Sequence, residues 1–269
     1  MSNRRNDPPQ VTERGSAEAS SITARLVGGT SWSVPEELPV AIIYNRHNYA
    51  VMLATPTDIA DFAIGFSLSE GIVTTLEDLE AIEIVHQRAG IDLHIRLSPE
   101  RLERLELVRR RRNLPGRAGC GLCGLENADS LISPLPEVAA EPVDISRGAL
   151  GKAMASLSDW QPLNRATRSV HAAAWCNAAG DILAAREDVG RHNALDKLIG
   201  ANARAGLDHA AGFLVMSSRC SYELIEKAAR AGIPALASLS APTAFAIRKA
   251  AEANIRLYAR NGSDFIALD

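Results

Sequence analysis

Cys120 and Cys123 carry the plainest chemical potential in the chain, as a Cys-Gly-Leu-Cys pair inside Gly116-Arg-Ala-Gly-Cys-Gly-Leu-Cys-Gly124. The thiolate is the nucleophilic form of cysteine, and C-x-x-C spacing next to cations lowers the thiol pKa. Arg117 and the arginine run 109–112 are such cations, near in sequence. Four glycines in these nine positions favour a mobile loop over a helix, because each adds backbone freedom. The pair could instead be half of a structural zinc site, which needs two more ligands. Cys176, Cys220 and His171 are candidates, but the two cysteines lie 53 and 97 residues beyond Cys123 and no second C-x-x-C exists. A thioredoxin-like dithiol normally opens a helix after a strand, and the glycine flanks make a poor helix start. Reactive thiols on a loop are therefore favoured. Cys176 is read as a small buried hydrophobe.

A second distinctive run is Glu187-Asp-Val-Gly-Arg-His-Asn-Ala194, just before an amphipathic segment carrying Leu195, Leu198 and Ile199. Composition alone favours helix capping and surface ion pairs here, with a ligand-facing cluster as the alternative. Zinc-deaminase chemistry, which uses H-x-E with P-C-x-x-C, is not encoded. Ala172 and Ala173 follow His171, the C-x-x-C precedes the His, and Gly119 replaces the proline.

Elements must position these groups. The runs 39–44 and 49–53 read as two strands about a turn, and Thr55-Pro-Thr-Asp58 opens a helix ending near Gly71. Strands are expected at 81–85 and 91–97, and a charged helix at 99–112. Further on, strands 212–216, 233–237 and 255–258 alternate with helices at 222–231 and 244–254, the β-α-β-α-β grammar of a parallel sheet. The polar clusters Ser217–Ser221, Ser238–Thr243 and Tyr258–Ser263 follow those three strands, where open α/β sheets bind ligands. Two of these clusters also precede helix N-termini, which suit phosphate. No Walker A sequence occurs, and Gly119–Gly124, which has G-x-G-x-x-G spacing, follows no expected strand and opens no expected helix, so an ordinary dinucleotide or NTP site is not supported.

The 269 residues are 46% hydrophobic and 23% charged, with net charge −3, which suits a globular core and gives no basic field for nucleic acid. No run of about 18 apolar residues occurs, so no membrane span is expected. The polar start of the chain has no apolar signal-peptide core, and a cytoplasmic protein is expected.

Taken together, Gly119-Cys-Gly-Leu-Cys-Gly124, Glu187–Ala194, Ser217–Glu223 and Ser240-Ala-Pro-Thr243 resemble the FdhD family of formate dehydrogenase accessory sulfurtransferases. Thr55–Asp58 and Gly65–Gly71 fit as well, so the resemblance spans nearly all of the chain after about residue 35. It implies a sulfur carrier that moves persulfide sulfur from a cysteine desulfurase to the molybdenum cofactor, as bis(molybdopterin guanine dinucleotide), before insertion into formate dehydrogenase. It also implies a fold similar to cytidine deaminases without their zinc, and a homodimer. Cys120 is implied as the persulfide carrier and Cys123 as a second thiol. The stretch Tyr258, Ala259, Arg260, Asn261, Gly262, Ser263 matches the cofactor-binding segment, with Arg219, Ser240, Thr243 and His192 as further contacts. Three departures are visible: Arg168-Ser169-Val170 where Thr-Gly-Gly is expected, Ser218 for a glycine, and Tyr258 for a phenylalanine.

The expected architecture is α/β: an irregular tail over 1–20, a β-rich portion over 21–115, the C-x-x-C loop and linker over 116–145, and a cytidine-deaminase-like three-layer domain over 146–269. No tightly held metal is expected. A dithiol oxidoreductase and a zinc-stabilised metalloenzyme chaperone are the competing functions.

Overall fold

The computed structural model describes residues 8–25, 27, 29–102, 105, 134–140, 144–262 and 264–268. Cys120, Cys123, Ser263 and most of the expected helix at 99–112 lie outside these residues.

The first half builds a five-stranded sheet from β1 (Gln10–Arg14), β4 (Leu38–Tyr44), β5 (His47–Ala54), β6 (Leu79–Gln87) and β7 (Gly90–Leu97), in the order β1-β6-β7-β4-β5. β2 (Ser21–Arg25) and β3 (Ser31–Pro35) form a separate hairpin. The β4–β5 connection is tighter than the four-residue turn expected. Asn45 and Arg46 both have positive φ, 44° and 72°, the turn whose twist matches paired antiparallel strands. Helix α1 (Ile59–Ser69) follows and stops as expected at Gly71. The Gly71 N–H donates to Leu68 O and the Ile72 N–H to Ser67 O, a Schellman closure whose left-handed position, φ 69°, suits glycine. Part of the expected irregular tail is ordered: β1 pairs parallel with β6. All five of its residues are exposed, so backbone pairing rather than an apolar pattern forms it, and no hydrophobic signal marked it.

The second half builds a six-stranded sheet in the order β13-β12-β11-β10-β8-β9. Its strands are β8 (His171–Asn177), β9 (Ile182–Asp188), β10 (Gly212–Arg219), β11 (Ala235–Ser240), β12 (Arg256–Asn261) and β13 (Asp264–Leu268). The predicted β-α-β-α-β core is present: β10, β11 and β12 pair in parallel. Helices α4 (Arg191–Ala205), α5 (Tyr222–Arg230) and α6 (Ala244–Glu252) share a core with Leu214, Met216, Leu236 and Leu257 on one face. Helix α2 (Arg147–Ser156) packs with Phe213, Val215, Ala235 and Ala237 on the other, while the short α3 (Pro162–Thr167) precedes β8. Burial on both faces explains why these strands read as continuous apolar runs. β8 and β9 carried no expectation. The sequence His-Ala-Ala-Ala-Trp-Cys-Asn lacks β-branched residues, and tertiary pairing with β10 overrides its weak propensity.

Two expected boundaries change. Leu135 and Val138, in the stretch read as linker, are buried in the second-half core, and the Val138 N–H donates to Ala253 O. Strands β10 and β11 also run on to Arg219 and Ser240, so Ser217–Arg219 and Ser238–Ser240 are strand ends rather than loop.

Helices α1 and α4 bind the two sheets together. They approach so closely that a Cβ on Gly65 would collide with the Asp196 carbonyl, and one on Gly200 with that of Asp61. Around this contact lies a buried polar seam. Lys197 Nζ meets Asp188 Oδ2 at 2.7 Å with both side chains fully buried, and donates to Thr55 O at 2.9 Å. Asp188 also accepts from the Thr55, Gly190 and Asn193 donors. Asp61 holds Arg186 and Arg204, both at 2.7 Å. Lys227 binds Asp196, Glu70 and Ser69. Burial would lower the Lys227 pKa, but the facing Asp196 and Glu70 outweigh it and hold the ammonium charged.

Candidate functional site

The seam positions the chemistry. The Thr55 hydroxyl accepts from Val189 N–H at 3.1 Å, and Asn193 Nδ2 donates to Leu53 O at 2.7 Å. The first half of the chain thereby fixes the 188–193 turn, from which α4 starts. No side chain caps Gly190 at that helix start. Arg191 and His192 occupy its first turn, and Arg191 Nε and His192 Nε2 are buried without hydrogen-bond partners. Ser221, at the start of α5, makes no capping bond, and its hydroxyl is likewise buried and unpartnered. The two starts meet: His192 Nε2 lies 3.8 Å from Glu223 Oε2. His171 opens β8 opposite Asp188. Burial, followed by the charges of Arg191 and His192, pushes the His171 pKa down, so the imidazole is neutral near pH 7. Unpartnered donors at two helix N-termini, with positive dipole ends beside a guanidinium, suit an anion.

This cluster lies on the sheet edge where β10, β11 and β12 end. Strand register places Arg219 opposite Ser240, and Ser238 opposite Ala259, so Arg260 belongs to the same edge. Thr243 N–H donates to Cys220 O at 3.0 Å, tying the two strand-end connections together. Arg191, Arg219 and Arg260 have no carboxylate within ion-pair distance among the described residues, although Arg260 Nε donates to Gly262 O.

The predicted residues divide accordingly. Arg219, Ser240, Arg260, Asn261 and Gly262 are exposed along the edge, and His192 lies in the unpartnered cluster. Tyr258 and Ala259 are buried at 4% exposure each; the Tyr258 ring packs on the α2 side and its hydroxyl accepts from Ile145 N–H. Successive residues of β12 point to opposite faces, and both are buried because each face of this strand is covered. The Thr243 hydroxyl is committed to capping α6, accepting from Ala246 N–H at 3.2 Å. The Glu187–Ala194 and Ser217–Ser221 runs already held Arg191 and Ser221, but neither residue was singled out, and His171 was weighed only as a zinc ligand or deaminase histidine. Only the fold shows that Ser221 is left uncapped.

Cys176 and Cys220 are fully buried, and burial pushes each thiol up to about 12. Neither is a thiolate near pH 7. Among the described residues no three His, Cys, Asp or Glu side chains gather as a metal site, and no helix is long and apolar enough to cross a membrane.

Comparison with known proteins agrees with the motifs. The FdhD/NarQ family profile matches residues 35–264. The chain is 50% identical over 234 residues to a protein of Xanthomonas euvesicatoria pv. vesicatoria named sulfur carrier protein FdhD, covering 86% of this chain and 82% of that one. It is 45% identical over 252 residues to the protein of the same name from Bordetella petrii, covering 93% and 89%. A solved structure from Desulfotalea psychrophila, described as a formate dehydrogenase accessory protein, has the same fold at TM-score 0.66 and 21% identity, covering 92% of this chain and 94% of that one. With a profile running from β3 to the final hairpin and half of the residues shared with such relatives, this chain belongs to the FdhD/NarQ family.

Proposed function

We propose that this protein is a sulfur carrier for formate dehydrogenase maturation. In this reading the Cys120 thiolate attacks the terminal sulfur of a persulfide on a cysteine desulfurase. A Cys120 persulfide forms and the desulfurase cysteine leaves as its thiolate. Cys123 accepts or relays the sulfur, and the recipient is the molybdenum cofactor in its bis(molybdopterin guanine dinucleotide) form, bound as substrate. The protein works in the cytoplasm as a homodimer.

The observation that carries the thiol assignment is the burial of the other two cysteines. Of four cysteines in the chain, Cys176 and Cys220 are held at about 12, which leaves the glycine-flanked pair as the nucleophiles. The names of the relatives support sulfur carriage itself. The donor-lined sheet edge supports the cofactor, because a diphosphate suits guanidinium forks and helix N-termini.

The test is intact-mass analysis after incubation with a cysteine desulfurase and cysteine. One or more sulfur atoms, removable by reductant, are expected on the wild type and on Cys176→Ala/Cys220→Ala. The Cys120→Ala/Cys123→Ala variant should gain none. An unchanged sulfur load in that variant overturns the assignment, and turnover of a disulfide substrate without bound sulfur favours a dithiol oxidoreductase.

A further inference from the structure

A separate cleft of about 400 Å³ opens beside α3, lined by Ser158, Asp159, Gln161, Asn164, Arg165 and Arg168. The volume is that of a small-molecule site. Its walls are fixed from outside. The Glu187 carboxylate accepts from Leu163 N–H and Asn164 N–H, both at 2.8 Å, and Arg168 N–H closes the helix on Asn164 O at 2.7 Å.

The polar groups here are mostly donors without a task. Gln161 is only 7% exposed, yet its side-chain amide nitrogen has no hydrogen-bond partner. A buried amide left in that state is costly, so it marks either strain or a ligand acceptor. Among the described residues, Arg165 and Arg168 line the same cleft with no carboxylate within ion-pair distance, whereas Arg186 and Arg204 in the seam are paired with Asp61. Asp159 is the single acidic lining residue; Glu187 behind α3 also interacts with Arg165, but its oxygens are taken by the Leu163 and Asn164 N–H groups, which leaves the guanidinium forks open at the cleft. Two guanidinium forks and a buried amide donor select an oxyanion, and three donor side chains match the three terminal oxygens of a phosphoryl group.

We infer that this cleft binds the phosphoryl group of a small molecule, at a site distinct from the donors at Arg191, His192, Arg219 and Arg260. It does not depend on the sulfur-carrier reading.

Calorimetric titration of the full chain tests this with three probes: inorganic phosphate, glycerol phosphate as a monoester, and succinate as a dicarboxylate. Saturable binding of phosphate, of glycerol phosphate, or of both is expected, and which one binds tells free phosphate from an organic phosphate. The Arg165→Gln/Arg168→Gln variant should bind about tenfold or more weakly, as expected for lost charge-assisted hydrogen bonds. Both arginines are exposed, and an unchanged melting midpoint would verify that the variant is folded. Arg96→Gln, at an exposed arginine on β7 of the five-stranded sheet, should bind like the wild type. Equal affinity in the Arg165/Arg168 variant, an equal loss in Arg96→Gln, or preference for succinate overturns the proposal. Neither Cys120 nor Cys123 is touched, so this result and the persulfide result can fail separately.

Discussion

At the seam between the two sheets, the buried charges that were described have partners: Asp188 with Lys197, Asp61 with Arg186 and Arg204, Asp196 with Lys227. At the end of the six-stranded sheet, barely one helix turn from Asp188, Arg191 Nε, His192 Nε2 and Ser221 Oγ have no hydrogen-bond partner among the described residues, and His192 Nε2 meets only the Glu223 carboxylate, at 3.8 Å. The two regions share Asp188–His192 and differ only in what surrounds them. Where chain packs on chain, polar groups are paired because an unpaired buried charge costs several kcal/mol. Where donors stay unpaired at helix starts, the protein gives up stability that a ligand can return. The seam holds the shape of the strand-end turn, and the sheet edge presents the unpaired donors.

The sharpest way to break this division is Lys197→Met. It leaves Asp188 buried without its cation and should cost about 3–5 kcal/mol of stability. A urea midpoint shift of that size verifies the seam's structural role, and a shift near zero would mean the pair is not buried in solution.

The opposite signature is expected at the edge. Arg219→Ala and Arg260→Ala should each weaken GDP, a probe carrying guanine and diphosphate, by about 1.5–3 kcal/mol. Their stability should stay within about 0.5 kcal/mol of wild type. Equal GDP affinity by calorimetry would remove that arginine from the site.

Thr243 sits between the two classes, an expected ligand contact that serves as a cap. Thr243→Ala should therefore cost about 1 kcal/mol of stability while GDP affinity stays unchanged. A loss of affinity at constant stability would return Thr243 to the binding set.

The smallest effect is a pH slope. Burial holds the His209 pKa below its ordinary 6.5; its ring bridges Asn202 and Ala231 O. The unfolded chain then binds the proton more readily than the folded one, so stability is complete above about 6.5 and declines as pH falls below it. Melting midpoints between pH 8 and 5 should show this decline, flattened in His209→Gln. An equal slope in that variant would shift the cause to other groups such as His171, whose pKa is also lowered by burial.

Much of the architecture could be read directly. The apolar runs of β4, β10 and β11 and the glycine stop at Gly71 announce themselves because local pattern and packing agree there. β1 and β8 do not: an exposed strand held by backbone pairing has no apolar alternation, and an alanine strand has no propensity. At the site, the arginines at positions 219 and 260 follow from strand-end logic. The inward turn of Tyr258 and the capping role of Thr243 depend on neighbours far away in sequence.

The sequence by itself determined the α/β class and the parallel core and singled out Cys120 and Cys123 as candidate nucleophiles, since each depends on residue type and short spacing. Only the tertiary structure decided that Thr55 and Lys197 hold the Asp188 turn, that Cys176 and Cys220 are inert, and which donors stay unpaired. Burial and pairing are properties of three-dimensional neighbours, and residues 133 and 142 positions apart become partners only when α1 closes on α4.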